Sequence, residues 1–275
     1  MPSISALVRA RWTEVYRGTP SLRAAFAFEA VIDEVTYIVG PIVVVGLSIA
    51  LFSEAGLMLA ILVLAADSAW LSVQKETEPP VYSVSADDGS VIGRRPLRVV
   101  ALSLVAIGAI FGATEVTAVA FADSERHKFG ASIALSLYGV GSLIAGFLFG
   151  AIKLRASSTT QFIATIGFAS VATLSLLAIH NISSLAIVLF ISGFAASPVL
   201  IAAMALVEKS VSPAQVTEGM TWAITGLSVG AALGAFVSGW LIDIHGAFSG
   251  FFVAMVAGAV ALAAAFLGRR WLADT

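Results

Sequence analysis

Residues 212–246 read SPAQVTEGMTWAITGLSVGAALGAFVSGWLIDIHG, a stretch that combines a helix start, an acid, a glycine ladder and a helix stop. Ser212, Pro213 and Gln215 fit an N-cap, a first-turn proline and a capping-box glutamine, so the spacing predicts a helix that begins here with its free amides satisfied. Glu218 in the first turn suits the positive end of the helix dipole. Gly226, Gly230 and Gly234 recur at every fourth residue and therefore share one stripe. In water such a run would weaken a helix by up to about 1 kcal/mol per residue relative to alanine. Inside hydrocarbon no hydrophobic drive brings helices together, and small residues at this spacing let two backbones approach until dispersion holds them. No charged residue interrupts 219–242, and that length meets the roughly 20 residues needed to cross a bilayer. Asp243, His245 and Gly246 close the span.

The whole chain shares this character. Of 275 residues, 59% are hydrophobic and 12% charged, with a mean hydropathy of +0.99. Roughly a quarter of a soluble domain is charged, so the composition is that of an all-α protein crossing the membrane many times, with the lipid bilayer as its first partner. A net charge of −2 with no dominant basic patch argues against a nucleic-acid partner. The lack of cysteine removes disulfides and thiolate metal sites. His127, His180 and His245 show no metal spacing, and no cofactor is expected. Gly226–Gly230 spells G-x-S-x-G in mid-helix, whereas a nucleophile elbow needs a strand-to-helix turn, so no enzyme is expected either. Asn181–Ser183 spells a glycosylation sequon, but it abuts a span.

Residues 1–24 carry Arg9, Arg11, Arg17 and Arg23 without an apolar run and read as a cytosolic segment. Apolar segments then predict eight spans: Phe26–Phe52, Ala55–Val73, Leu97–Ala122, Gly130–Ile152, Thr159–Ile179, Leu185–Val207, Glu218–Ile242 and Phe248–Leu267. They group as two helices (25–73), a charged, Pro- and Gly-bearing cytosolic linker (74–96) and a six-helix block (97–270). With the amino terminus inside, thirteen of the 15 Lys and Arg residues fall in inner segments and only Arg126 and Lys128 outside. The bias predicts cytoplasmic termini at the plasma membrane. Taken as two triplets, the last six spans place a glycine-rich helix in each middle position. One holds Gly139, Gly141, Gly146 and Gly150, the other Gly226, Gly230, Gly234 and Gly239. Matching features at matching positions are what a 3+3 repeat predicts.

These features resemble the major facilitator superfamily. The six-span block is similar to the carboxy-terminal half of such a transporter, and the two earlier spans to the last two helices of its amino-terminal half. Gly40-Pro41 resembles the glycine-proline pair of the antiporter motif, Gly193 and Pro198 fit the sixth span, and Gly239, Asp243 and Gly246 fit G-x-x-x-D-x-x-G. The chain departs from the pattern at Thr36, Val44 and Val45, where glycines would stand, and 150–155 is a loop motif without its aspartate. The resemblance implies twelve spans in a full member, hence an amino-terminally truncated frame. It implies secondary active transport of a small molecule, proton-coupled efflux by alternating access. The alternative is a non-transporting membrane scaffold or an inactive remnant.

Acids inside a span cost about 2.5 to 3.5 kcal/mol each at a helix centre, so each needs a reason. Glu29, Asp33 and Tyr37 stand at spacing four on one stripe of the first span, with Glu34 beside them. A proton or cation relay at the inner gate and pairing with Arg9, Arg11 or Arg23 are both open. Glu115 has no basic residue in its own span and lies between Thr114 and Thr117, as a proton-coupling group or cation anchor would, or as a hydrogen-bonded structural acid. The resemblance makes its span a cavity-lining helix. Glu218 and Trp222 share a face at the inner end of the seventh span. Tyr138 is a candidate cavity residue, Asp67 near Trp70 an interface residue, and Asp243 a structural acid. Gly40, Pro41, Gly226, Gly230 and Gly234 are expected to pack helices.

Overall fold

The computed structural model describes residues 4–80, 90–152 and 156–272, and within these leaves out the side chains of residues 37, 41, 42, 45, 46, 49, 128 and 129. The described residues form ten α-helices: α1 (Ile4–Tyr16), α2 (Ser21–Ala50), α3 (Ala55–Val73), α4 (Arg95–Ser124), α5 (Lys128–Ala151), α6 (Ser158–Ala172), α7 (Ile182–Gly193), α8 (Ala196–Ser210), α9 (Val216–His245) and α10 (Gly250–Leu272). Among the described residues, seven segments are long and apolar enough to cross a membrane. The expected eighth, Phe26–Phe52, falls on the continuous helix α2, several of whose side chains lie outside the described residues.

Two spans are less regular than expected. The fifth leaves α-geometry at Thr173 and finishes as the 3-10 turns Thr173–Ala178. The sixth breaks into α7 and α8 at Phe194 and Ala195, whose amides turn back to Ile191 and Ser192 at 3.2 and 3.1 Å. Pro198, in the first turn of α8, has no amide to give to residue 194, so the ladder cannot run through. A Cβ on Gly193 would collide with the Tyr138 carbonyl, so the break is pressed against α5. At the start of α7 the sequon asparagine caps the helix. Asn181 Oδ1 accepts from the Ser184 amide at 2.8 Å, and Ser184 Oγ accepts from the Asn181 amide at 2.9 Å.

The glycine stripe of α9 lies where its spacing requires. Cβ atoms on Gly226, Gly230 and Gly234 would meet the carbonyls of Ala101, Val105 and Ala109 on α4. The contact is reciprocal, because Gly108 and Gly112 of α4 face the carbonyls of Leu227 and Ala231. Among the described residues this pair is the most extensive, and α10 packs on α4 as well. The capping box at Ser212 is not made. Pro213–Gln215 fold as a 3-10 turn and α9 starts at Val216, because Gln215 Oε1 is taken by Arg94 Nη2 at 2.7 Å and by Ser212 Oγ at 3.1 Å. The other end stops as expected, at Gly246 with φ +88°.

Candidate functional site

Helix α2 carries acids on two faces, and each face meets different chemistry. Toward α1, Arg9 is 2% exposed and Glu29 8%. Arg9 Nε lies 3.2 Å from Glu29 Oε1, and Arg9 Nη2 donates to Asp33 Oδ2 at 2.8 Å. Ser5 Oγ also donates to Glu29 Oε1, at 3.2 Å. The stripe of Glu29 and Asp33 is therefore a docking track for α1, with Asp33 half exposed; the side chain of Tyr37 lies outside the described residues. Of the three arginines considered as partners, Arg9 holds the acids. Arg11 instead donates to the Leu71 and Gln74 carbonyls at the end of α3, at 2.8 and 2.6 Å, and Arg23 stacks over Phe149 at 4.5 Å.

Toward α5 and α8, Glu34 enters a polar joint that sequence reasoning missed. Its Oε1 accepts from Ser142 Oγ of α5 at 2.5 Å. Ser142 Oγ is 2.8 Å from Ser197 Oγ of α8 and accepts from the Ser197 amide at 3.1 Å. Both serines are buried. Glycines make the room: a Cβ on Gly139 would press on Ile38, one on Gly146 on Ser197, and one on Gly150 on Ala27. The glycine count of α5 was visible in the sequence. Its partner was not, because two serines in an apolar chain give no pattern until the break at residue 194 brings them together.

The remaining candidates disperse. Glu115 is exposed on α4, a span whose greater part is buried, and makes no hydrogen bond among the described residues. Tyr138 edges against Phe111, ring centroids 6.3 Å apart, and with Ile110, Thr114, Thr173 and Ser192 lines a cavity of about 20 Å³, room for about one water. Glu218 Oε1 accepts from Ser90 Oγ at 2.5 Å, from the Val91 amide at 3.2 Å and from Trp222 Nε1 at 3.4 Å, so it anchors the end of the linker onto α9. Asp67 and Asp243 are exposed. A Cβ on Gly40 would meet nothing among the described residues, so no close helix contact is made there, and the side chain of Pro41 lies outside them. An open groove of about 630 Å³ runs between α4, α9 and α10. Its walls are wholly apolar, Leu102, Val105, Val237, Leu241, Phe252 and Val256 among them, and offer no polar group to orient a substrate. No cluster of His, Cys, Asp and Glu among the described residues would hold a metal.

No curated protein matches the chain. The profile of the Major Facilitator Superfamily matches residues 102–272, which is α4 through α10 and more than half of the 275 residues. With seven membrane-length helices in the same chain, the conclusion is plain: this multi-pass membrane protein belongs to the Major Facilitator Superfamily of transporters.

Proposed function

We propose that the chain is a secondary active transporter of the plasma membrane that exports a small molecule in exchange for protons, by alternating access between two bundles, with both termini cytoplasmic. Thirteen of 15 Lys and Arg residues on the inner side support that orientation. A 3+3 repeat is supported by crossed packing: α4 seats on α9 and α10 of the second triplet, while α7 and α8 seat on α5 and α6 of the first. The observation that carries the reading is Glu115. A carboxyl exposed inside a span cannot face hydrocarbon without a cost of about 2.5 to 3.5 kcal/mol, so it belongs on a water-lined or substrate-lined path. There it suits a cationic substrate or a proton.

The test is flux into proteoliposomes of a fluorescent lipophilic cation, with and without a proton gradient. The intact chain is expected to show gradient-driven uptake that Glu115→Gln abolishes. A Glu115→Gln variant that moves the cation normally across a pH series removes this acid from the mechanism. A second reading, a non-transporting scaffold, is favoured by one observation. Helix α3 packs on α2 and leaves Leu57, Ile61, Leu62, Leu64 and Trp70 exposed. Flux no greater than in protein-free vesicles, with every cation tried, would support the scaffold.

A further inference from the structure

The Glu34–Ser142–Ser197 joint can be balanced atom by atom. Ser142 has one hydroxyl hydrogen and two lone pairs. Its hydrogen goes to Glu34 Oε1 at 2.5 Å, a separation at the short end for a hydroxyl on a carboxylate. One lone pair takes the Ser197 amide at 3.1 Å. The 2.8 Å contact between the two hydroxyls then has Ser197 as donor and fills the second lone pair. Two dipoles from Ser197 of α8 therefore converge on Ser142, whose own hydroxyl points at the carboxylate. The amide among them is one that α8 cannot satisfy itself, because the break at Phe194 and Ala195 made it a first-turn amide. A neutral carboxylic acid holds this arrangement less tightly. Protonated on Oε2 it still accepts from Ser142 at Oε1, but as a neutral carbonyl, and the charge-assisted bond, roughly twice as strong as a neutral one, is lost.

The joint also lies where motion would be felt. Ser142 is near the middle of α5 and Ser197 near the middle of the segment Ile182–Ser210, while Glu34 belongs to α2, outside the six-helix block. The charged groups around it are few. On its own helix Asp33 is adjacent and, with Glu29, is held by Arg9 of α1. Helix α5 has no charge after Lys128 at its start, α8 has Glu208 and Lys209 only at its far end, and α3 has Asp67, which is exposed. Among the described residues no cation reaches Glu34 across the joint; hydroxyls and a helix end hold it.

We propose that Glu34 carries the coupling proton, its ionised form clasping α2 to the broken helix α7–α8 and its protonated form releasing it. This rests on the proton-coupled reading above. The only bond made or broken is the O–H on Glu34, with the proton drawn from and returned to bulk water. The chain has no native cysteine, so paired spin labels placed at Val39 on α2 and Ile191 on α7, 46% and 51% exposed, report the α2–α7 distance in lipid nanodiscs without any substrate. The labelled chain is expected to shift its distance distribution between neutral and mildly acidic pH. Glu34→Gln is expected to show the acid-state distance at both. Ser142→Ala, which keeps the carboxyl and removes its donor, is expected to do the same and serves if Glu34→Gln does not fold. A chain with native Glu34 whose distance ignores pH, or a Glu34→Gln chain that still shifts as the native one does, overturns the proposal. The readout needs no flux, so absence of transport with a preserved pH shift would count against the transport reading alone.

Discussion

Two helix pairs in this molecule use glycine to bring backbones together, and they differ in what glycine brings into contact. Between α4 and α9 the fit is backbone on backbone in both directions, with Gly108 and Gly112 answering Gly226, Gly230 and Gly234. Nothing charged takes part, so the contact has one arrangement and no protonation state to change it. Between α2 and α5 the glycines face side chains, Ile38 and Ala27, and next to them sits a carboxylate bonded through two hydroxyls. Close packing by itself makes a joint that stays. Adding one ionisable group makes a joint whose strength depends on a proton.

Gly230→Leu attacks the fixed side of this comparison and carries the largest expected effect. The new Cβ has the Val105 carbonyl in its place, so the helices must part. The loss is expected at or above about 3 kcal/mol, the upper end for overpacking, read as a lower melting temperature in detergent. An unchanged melting curve would show that the backbones are not in contact. Arg9→Met comes next. It strands Glu29, 8% exposed, without its cation, at about 3 kcal/mol, and Glu29→Leu added to it is expected to restore most of the loss. A single variant as stable as the native chain would mean that α1 is not fixed to α2. Glu218→Ala removes the anchor of the linker end and is expected to cost about 1 kcal/mol. Faster proteolysis between residues 74 and 96, with little change in global melting, is the signature. Smallest is Gly239→Leu, where a Cβ meets nothing among the described residues, expected to stay within about 0.5 kcal/mol. A large loss there would locate a partner on that face of α9.

Membrane character was legible in the sequence because hydrocarbon filters composition over a length of about 20 residues, and seven of the eight expected spans fall on segments of membrane length. The stripe of α9 was legible for the same reason, as a period, and Gly246 as the end of its helix. Its partner was present in Gly108 and Gly112, also four apart, but the spacing alone does not say which helices meet. The start of α9 was misread because a capping box is a local rule, while Arg94, far away in sequence, claims the glutamine. Within the acids of α2, the stripe of Glu29 and Asp33 correctly implied a shared environment, and Arg9 stood among the possible partners. Glu34 was undecidable from sequence, since its partners are two serines whose approach depends on a helix break. Gly40 carried a motif resemblance and makes no close contact among the described residues, because the motif names a residue pair and not the neighbour it needs.

Arg11 reaches from α1 to the Leu71 and Gln74 carbonyls and to Thr77 Oγ1, where α3 runs out. Those acceptors are neutral amides and a hydroxyl that do not titrate in the physiological range, so acidifying the medium leaves this tether as it was. A change of charge on the carboxyls of α2 touches none of these contacts, so the end of α3 is tied to α1 independently of them.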